Sequence, residues 1–184
     1  MAPESGLDIV AVLTDEHALL RELSHDVTEP GDDGSAFLTW RDHVVRHEIA
    51  EELIVYPELL ASHGGAAVAH SRLEEQAAIE RRLVAVGRLV PGSPEFRQAA
   101  VTLVLASLAH LEMEEAQVLP ILSTRIGHRR RSELGRRYRE VIRMAPRPPV
   151  PDGGRVPTGP TEVDRTEALS VWLRDMGSSS GLAS

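Results

Sequence analysis

His47-Glu48-Ile49-Ala50-Glu51-Glu52, followed by Val55-Tyr56-Pro57, returns later in the chain as His110-Leu111-Glu112-Met113-Glu114-Glu115, followed by Val118-Leu119-Pro120. In each copy a histidine precedes a glutamate by four residues, a second glutamate follows at once, and a proline stands ten residues after the histidine. Four residues turn an α-helix by roughly 400°, so His47 and Glu51 stand one turn apart on one face, as do His110 and Glu114. Helix bundles assemble di-metal sites in this way, with an imidazole and a carboxylate projecting inward from each of two helices. A single His-x-x-x-Glu is ordinarily an exposed pair worth a few tenths of a kcal/mol. The repetition, with its matching prolines, points instead to metal.

Helical blocks separated by breakers extend outward from these two motifs. Val10, Leu13, His17, Leu20, Ser24 and Val27 step by threes and fours, predicting a first helix over 6–27 with one buried stripe. The turn Pro30-Gly31-Asp32-Asp33-Gly34 ends it. A second helix is predicted over 35–62, with Trp40, His43, His47, Glu51 and Ile54 along one side, and Gly64-Gly65 after it. The third, over 67–90, is read with His70, Leu73, Ala77 and Val84 inward. Ser93 caps the fourth, Pro94 opens it, and it runs to 126 with Leu103, Ser107, His110, Glu114 and Ile121 on one face. Short connections between long helices imply antiparallel neighbours. The expected fold is all-α, an up-down antiparallel four-helix bundle. Pro57 and Pro120 each remove a backbone donor and should kink or end their helices.

A short, Arg-rich fifth helix is expected over 129–144, its long stems lying over the bundle. The chain then becomes Pro- and Gly-rich. The expected organisation is a bundle domain over 1–145, a linker over 146–160 and a terminal segment over 161–184. Within that segment Leu169, Trp172, Leu173 and Met176 fall at helical spacing. The amphipathic helix they predict docks on its own bundle or contacts a protein partner.

Composition narrows the chemistry. The 184 residues are 42% hydrophobic but only 3% aromatic, so the core is built from Leu, Val, Ile and Ala. A formal charge of −8 argues against a general nucleic-acid binder. The absence of cysteine excludes disulfides and thiolate sites and leaves nitrogen and oxygen ligands. The first residues lack the basic and apolar regions of a signal peptide, and no run approaches the roughly 20 apolar residues of a membrane span. The expected home is the cytoplasm, away from membranes and nucleic acid.

Histidines occupy the predicted stripes of all four long helices: His17, His47, His70 and His110. Glu51, Glu74 and Glu114 follow the last three of these by four residues. Buried carboxylates are costly unless paired, protonated or metal-bound. Two cations would neutralise the group, with Glu51 and Glu114 as bridges and the histidines as terminal ligands. Imidazole and carboxylate without thiolate suit iron or manganese and accept zinc. Glu48 is a further candidate ligand. Glu52 and Glu115 face outward or support the ligands from behind. His43 reads as a core histidine, His25, His63 and His128 as surface residues. Tyr56 falls about 180° from His47 on an ideal helix and is not assigned to the metal.

Over roughly residues 7–145, with the proline after each ligand helix and the Glu133-Leu134-Gly135-Arg136-Arg137-Tyr138 stretch, this pattern resembles the hemerythrin-like HHE cation-binding domains, and Ala145-Pro146-Arg147-Pro148 is similar to the tail of actinobacterial members. The resemblance implies a four-helix bundle around a non-heme centre of two iron ions. Carried over by position, the ligands fall on His17, His47, Glu51, His70, His110 and Glu114. The oxygen carriers have His-x-x-x-His on the third helix where this chain has His70 and Glu74. Glu74 is then a harder replacement ligand, or that coordination position is open. Three functions compete: a di-iron protein that binds dioxygen or iron reversibly as sensor, buffer or store; a di-iron enzyme that decomposes peroxide as a catalase or peroxidase does; and a domain whose metal only supports folding.

Overall fold

The computed structural model describes residues 7–31 and 33–145. Among them the chain is helical throughout: α1 (Ile9–Thr28), α2 (Ser35–Ala50), a π-helical turn (Glu51–Val55), α3 (Tyr56–Ala61), α4 (Gly65–Val86), α5 (Pro94–Arg125) and α6 (His128–Met144). The second rod of the bundle is α2, the π turn and α3 read as one interrupted helix. α1 packs on α2 and α5, α4 packs on α5 and α3, and α6 lies across α1 and α2. The result is an up-down antiparallel four-helix bundle with a short fifth helix. The chain divides into two units, Met1–Pro148 and Pro149–Ser184. The expected linker and terminal helix lie outside the described residues.

Local chemistry explains where the rods begin. The Asp8 side chain accepts the Val10 N–H at 3.0 Å and caps α1, while Arg131 of α6 donates to its other oxygen at 2.7 Å. Ser93 accepts the Phe96 N–H at 3.1 Å and Pro94 occupies the first turn of α5, as its sequence predicts. Gly34 enters α2 with φ of 102°, a left-handed conformation that a β-carbon disfavours.

Neither proline ends its helix. A π turn sits directly before Pro57, with the Tyr56 N–H bonded to the Glu51 carbonyl five residues back. The wider turn takes up the place of the donor that Pro57 lacks, and α3 continues to Ala61. Pro120 lies inside α5, where Ser123 and Thr124 hydroxyls donate to its carbonyl at 3.0 and 2.7 Å.

The hydrophobic core fills one end of the bundle. Leu20 and Val27 of α1, Phe37 and Trp40 of α2, Ile79 and Leu83 of α4, and Phe96 and Leu103 of α5 form one buried cluster. Trp40 donates its indole N–H to the Ser24 hydroxyl at 3.0 Å, which in turn donates to the Leu20 carbonyl at 2.7 Å, so this end leaves neither polar group unpaired. A second buried layer, with Ile9, Leu13, Leu59, Val118, Leu122 and Leu134, closes the other end. The polar stripe residues lie between the two layers. No helix among the described residues is long and apolar enough to cross a membrane.

One predicted stripe is out of phase. α4 buries Ala69, Arg72, Gln76, Ile79, Leu83 and Val86. His70 and Glu74 are exposed. The buried face of this helix carries its own polar pair, Arg72 and Gln76, so it resembles a solvent face in sequence.

Gly135 fixes the approach of α6 to the start of α1. A β-carbon there would overlap the Leu7 backbone carbonyl, which cannot move without displacing the N-terminus of α1. Gly135→Ala is expected to lower the unfolding free energy by about 1–3 kcal/mol, read as a drop in midpoint by thermal denaturation.

Candidate metal centre

Between the two apolar layers, three of the four rods deliver donors to one point. One donor atom from each of His17, His47, Glu51 and Glu114 lies within 4.8 Å of the others. These side chains are essentially closed to solvent, at 0%, 1%, 1% and 1% exposure. His110 adjoins them, 4% exposed. α1 contributes His17, α2 and its π turn His47 and Glu51, and α5 both His110 and Glu114.

All three imidazoles are oriented in the same sense. His17 Nδ1 contacts Glu115 Oε1 at 3.1 Å, His47 Nδ1 contacts the Tyr138 hydroxyl at 2.7 Å, and His110 Nδ1 contacts Glu75 Oε2 at 2.9 Å. Two of these partners are themselves held by cations, Glu115 by Arg21 at 2.8 Å and Glu75 by Arg72 at 2.7 Å. With Nδ1 engaged, every Nε2 faces inward. None of the three has a hydrogen-bond partner, and neither do Glu51 Oε1 and Glu114 Oε2. A metal-binding histidine is oriented in this way, with one ring nitrogen held from behind and the other bare.

The spacing of the bare atoms supports the same conclusion. His17 Nε2 lies 3.5 Å from Glu114 Oε2, His47 Nε2 lies 3.5 Å from Glu51 Oε1, and His110 Nε2 lies 3.4 Å from Glu114 Oε1. Two donors each about 2.1 Å from a shared ion stand roughly 3.0–3.4 Å apart. Glu114 thus presents one oxygen to His17 and the other to His110. Glu51 presents Oε1 to His47, while its Oε2 accepts the Gln76 amide at 2.7 Å. Orphaned buried nitrogens and oxygens at this spacing fit a cation.

Electrostatics shows what the protein bears without one. Burial pushes Glu51 well above the usual carboxylate range, and the charge of Glu114 adds to it. Burial opposes ionisation of Glu114 too, but the adjacent His110 imidazole, then the charges of His47 and His17, outweigh it and hold that carboxyl down. The two carboxyls are thus pushed in opposite directions. Burial lowers His17 and takes His47 down to about 3. His110 is also disfavoured by burial, yet Glu114 and Glu75 raise it to about 8. A cation bound here would take the place of these protons.

The structure brings His17, His47, Glu51, His110 and Glu114 together. It places His70 and Glu74 on the exposed face of α4, away from this group. Glu48 is buried at 2% exposure, beside the carboxylates. Its charge acts on both Glu51 and His110. Three members are not assigned by the sequence. Tyr56 donates to Glu114 Oε1 at 2.6 Å, and Gln76 donates to both Glu51 Oε2 and the Tyr56 oxygen, at 2.7 and 2.9 Å. The π turn rotates Tyr56 inward from where an ideal helix would put it. Gln76 was hidden by the phase of α4. Tyr138 belongs to α6 and no His-x-x-x-Glu signal points to it. Glu115 was expected to face outward or support a ligand; at 34% exposure it does both.

The fold and this donor set define a helical-bundle protein with a buried histidine–carboxylate cluster that could hold a metal ion. The chain belongs to the hemerythrin HHE cation-binding domain family, whose sequence model matches residues 8–122. α6, which supplies Tyr138 to His47, lies beyond the matched residues. No curated protein and no solved structure gives a significant match.

Acidification tests this arrangement in metal-free protein. Folded His47 takes its proton only near pH 3, whereas the unfolded chain takes it near the ordinary 6.5. The unfolded state binds more protons in between, so stability is retained above pH 6.5 and lost as pH falls through that window. His17 acts in the same direction. His110 acts oppositely: its contribution is full below pH 6.5 and lost as pH rises through about 8. The midpoint of chelator-treated protein, followed by circular dichroism, is expected to fall from pH 6.5 downward, and His47→Gln to flatten that limb.

Proposed function

We propose that the chain holds two iron ions and uses them to bind dioxygen or a small oxidant reversibly, as a sensor, buffer or store. The observation that carries this reading is the division of the two carboxylates. Glu114 directs its oxygens to different histidines, and Glu51 directs one to His47 and one to Gln76. His17 and His47 would hold one ion. His110, with Glu48, would hold the other, and Glu51 and Glu114 would span them. Mixed imidazole and carboxylate donors suit iron or manganese and accept zinc; iron is preferred because the family is hemerythrin. Once bound, iron supplies redox chemistry toward an oxygen species. The chain excludes bulk water, holds each imidazole by its Nδ1 and keeps a hydroxyl and an amide beside the carboxylates. The cytoplasmic location expected from the sequence belongs to this reading.

A second reading, decomposition of peroxide, is favoured by Tyr56 and Gln76. The buried stripe of α4 brings no imidazole to the centre; at the four-residue step it has Arg72 and Gln76. The second ion would then keep a place for an exogenous ligand, and the Tyr56 hydroxyl and Gln76 amide are hydrogen-bond donors within the same dry pocket. The hydroxyl could pass a proton to an oxygen species that enters, and the amide could donate a hydrogen bond to it.

Purified protein loaded with ferrous iron and exposed to air separates these readings. Binding predicts an oxygenated absorption band that reverts under argon. Turnover predicts oxygen evolution from added hydrogen peroxide. Retention of zinc alone, with no redox-active band after iron loading, would overturn both and leave a structural metal. Glu51→Ala and Glu114→Ala are each expected to lower the iron content per chain, measured by elemental analysis. Full iron retention in either would refute the bridging assignment.

A further inference from the structure

We propose that the outward face of α5 seats a second copy of this chain, packed antiparallel about Leu105. A bundle helix ordinarily turns a charged face to water. α5 does not. From Gln98 to Leu111 it carries no Asp, Glu, Lys or Arg, in a chain that is 26% charged. Leu105 is 60% exposed and Met113 38%. Thr102, Ala109, Glu112 and Ala116 are also exposed, and Val101 and Leu108 are half-buried. Gln98, Val101, Leu105, Leu108 and Glu112 follow one another at steps of three and four, the spacing of a coiled-coil seam.

The pattern is complementary to itself. Antiparallel pairing about Leu105 sets Val101 of one copy opposite Ala109 of the other, and Leu108 opposite Thr102, so a large side chain meets a small one on either side of the central Leu105 pair. Gln98 of one copy then stands opposite Glu112 of the other. Arg97, exposed on the same flank and bonded through one guanidinium nitrogen to the Gly92 carbonyl of its own chain, would turn its remaining donors to that glutamate, and symmetry repeats the pair at the far end. Parallel pairing would instead set Glu112 against Glu112. A patch that matches its own reversed copy is the requirement of a two-fold, isologous interface. The charge complementarity selects a second copy as occupant and selects its direction.

The test is sedimentation velocity on the full-length protein from low to high micromolar concentration. The wild type is expected to pass from monomer to dimer with concentration. Leu105→Glu places two like charges on the two-fold axis and is expected to remain monomeric; because the site is exposed, helix content by circular dichroism should be unchanged. Arg97→Glu is expected to weaken the dimer roughly tenfold, and adding Glu112→Arg to it should restore association. A wild type that is monomeric throughout overturns the proposal, as does a Leu105→Glu protein that dimerises normally. A full chain that dimerises only when Trp172→Ala is introduced also overturns it, and would assign the face to the chain's own terminal segment.

Discussion

Two glutamates facing each other in an interior closed to solvent are the constraint on which the structure turns. An ionised carboxylate removed from water carries a penalty of several kcal/mol unless something compensates. Here Glu51 and Glu114 stand together at 1% exposure, surrounded by three imidazoles whose inward nitrogens have no partner. Protons can satisfy the group in part, as the opposing shifts of Glu51 and Glu114 and of His47 and His110 show. A cation satisfies all of it at once. The rest of the bundle follows from holding that group in register: aliphatic layers above and below, and a hydrogen-bond partner behind each ring.

The supporting partners sit at the bundle's edge. Glu75 is 40% exposed and Glu115 34%, each tied to an arginine, so both anchors lie where charge is well solvated. Tyr138 differs: it is fully buried and comes from α6. The fifth helix therefore does more than cover the bundle with arginine stems. It orients His47, and Gly135 lets it come close enough to do so. Arg131 ties the same helix to the cap of α1.

Much of this was legible in the chain. Helix bounds fell within a few residues because glycines, prolines and a serine cap punctuate them, and His47, Glu51, His110 and Glu114 were visible through a spacing that repeats. His17 was visible because its helix buries a clean aliphatic stripe. What stayed hidden has physical causes. The stripe of α4 carries Arg72, which pairs with Glu75 of its own helix, and Gln76, which pairs with Glu51 and Tyr56 of the second rod, so periodicity favoured a phase that put His70 inward. Tyr56 was misplaced because angular arithmetic assumes an ideal helix, and the π turn before Pro57 breaks that assumption. Tyr138 touches a residue 91 positions away, a contact that no local pattern encodes.

Anomalous diffraction at the iron edge from crystals of iron-loaded protein tests the central claim most directly. The account predicts two peaks within the bundle, one against His17 and His47 and one against His110, with Glu51 and Glu114 between them. Iron located instead at His70 and Glu74 on the outer face of α4, or an interior without a peak, would contradict it.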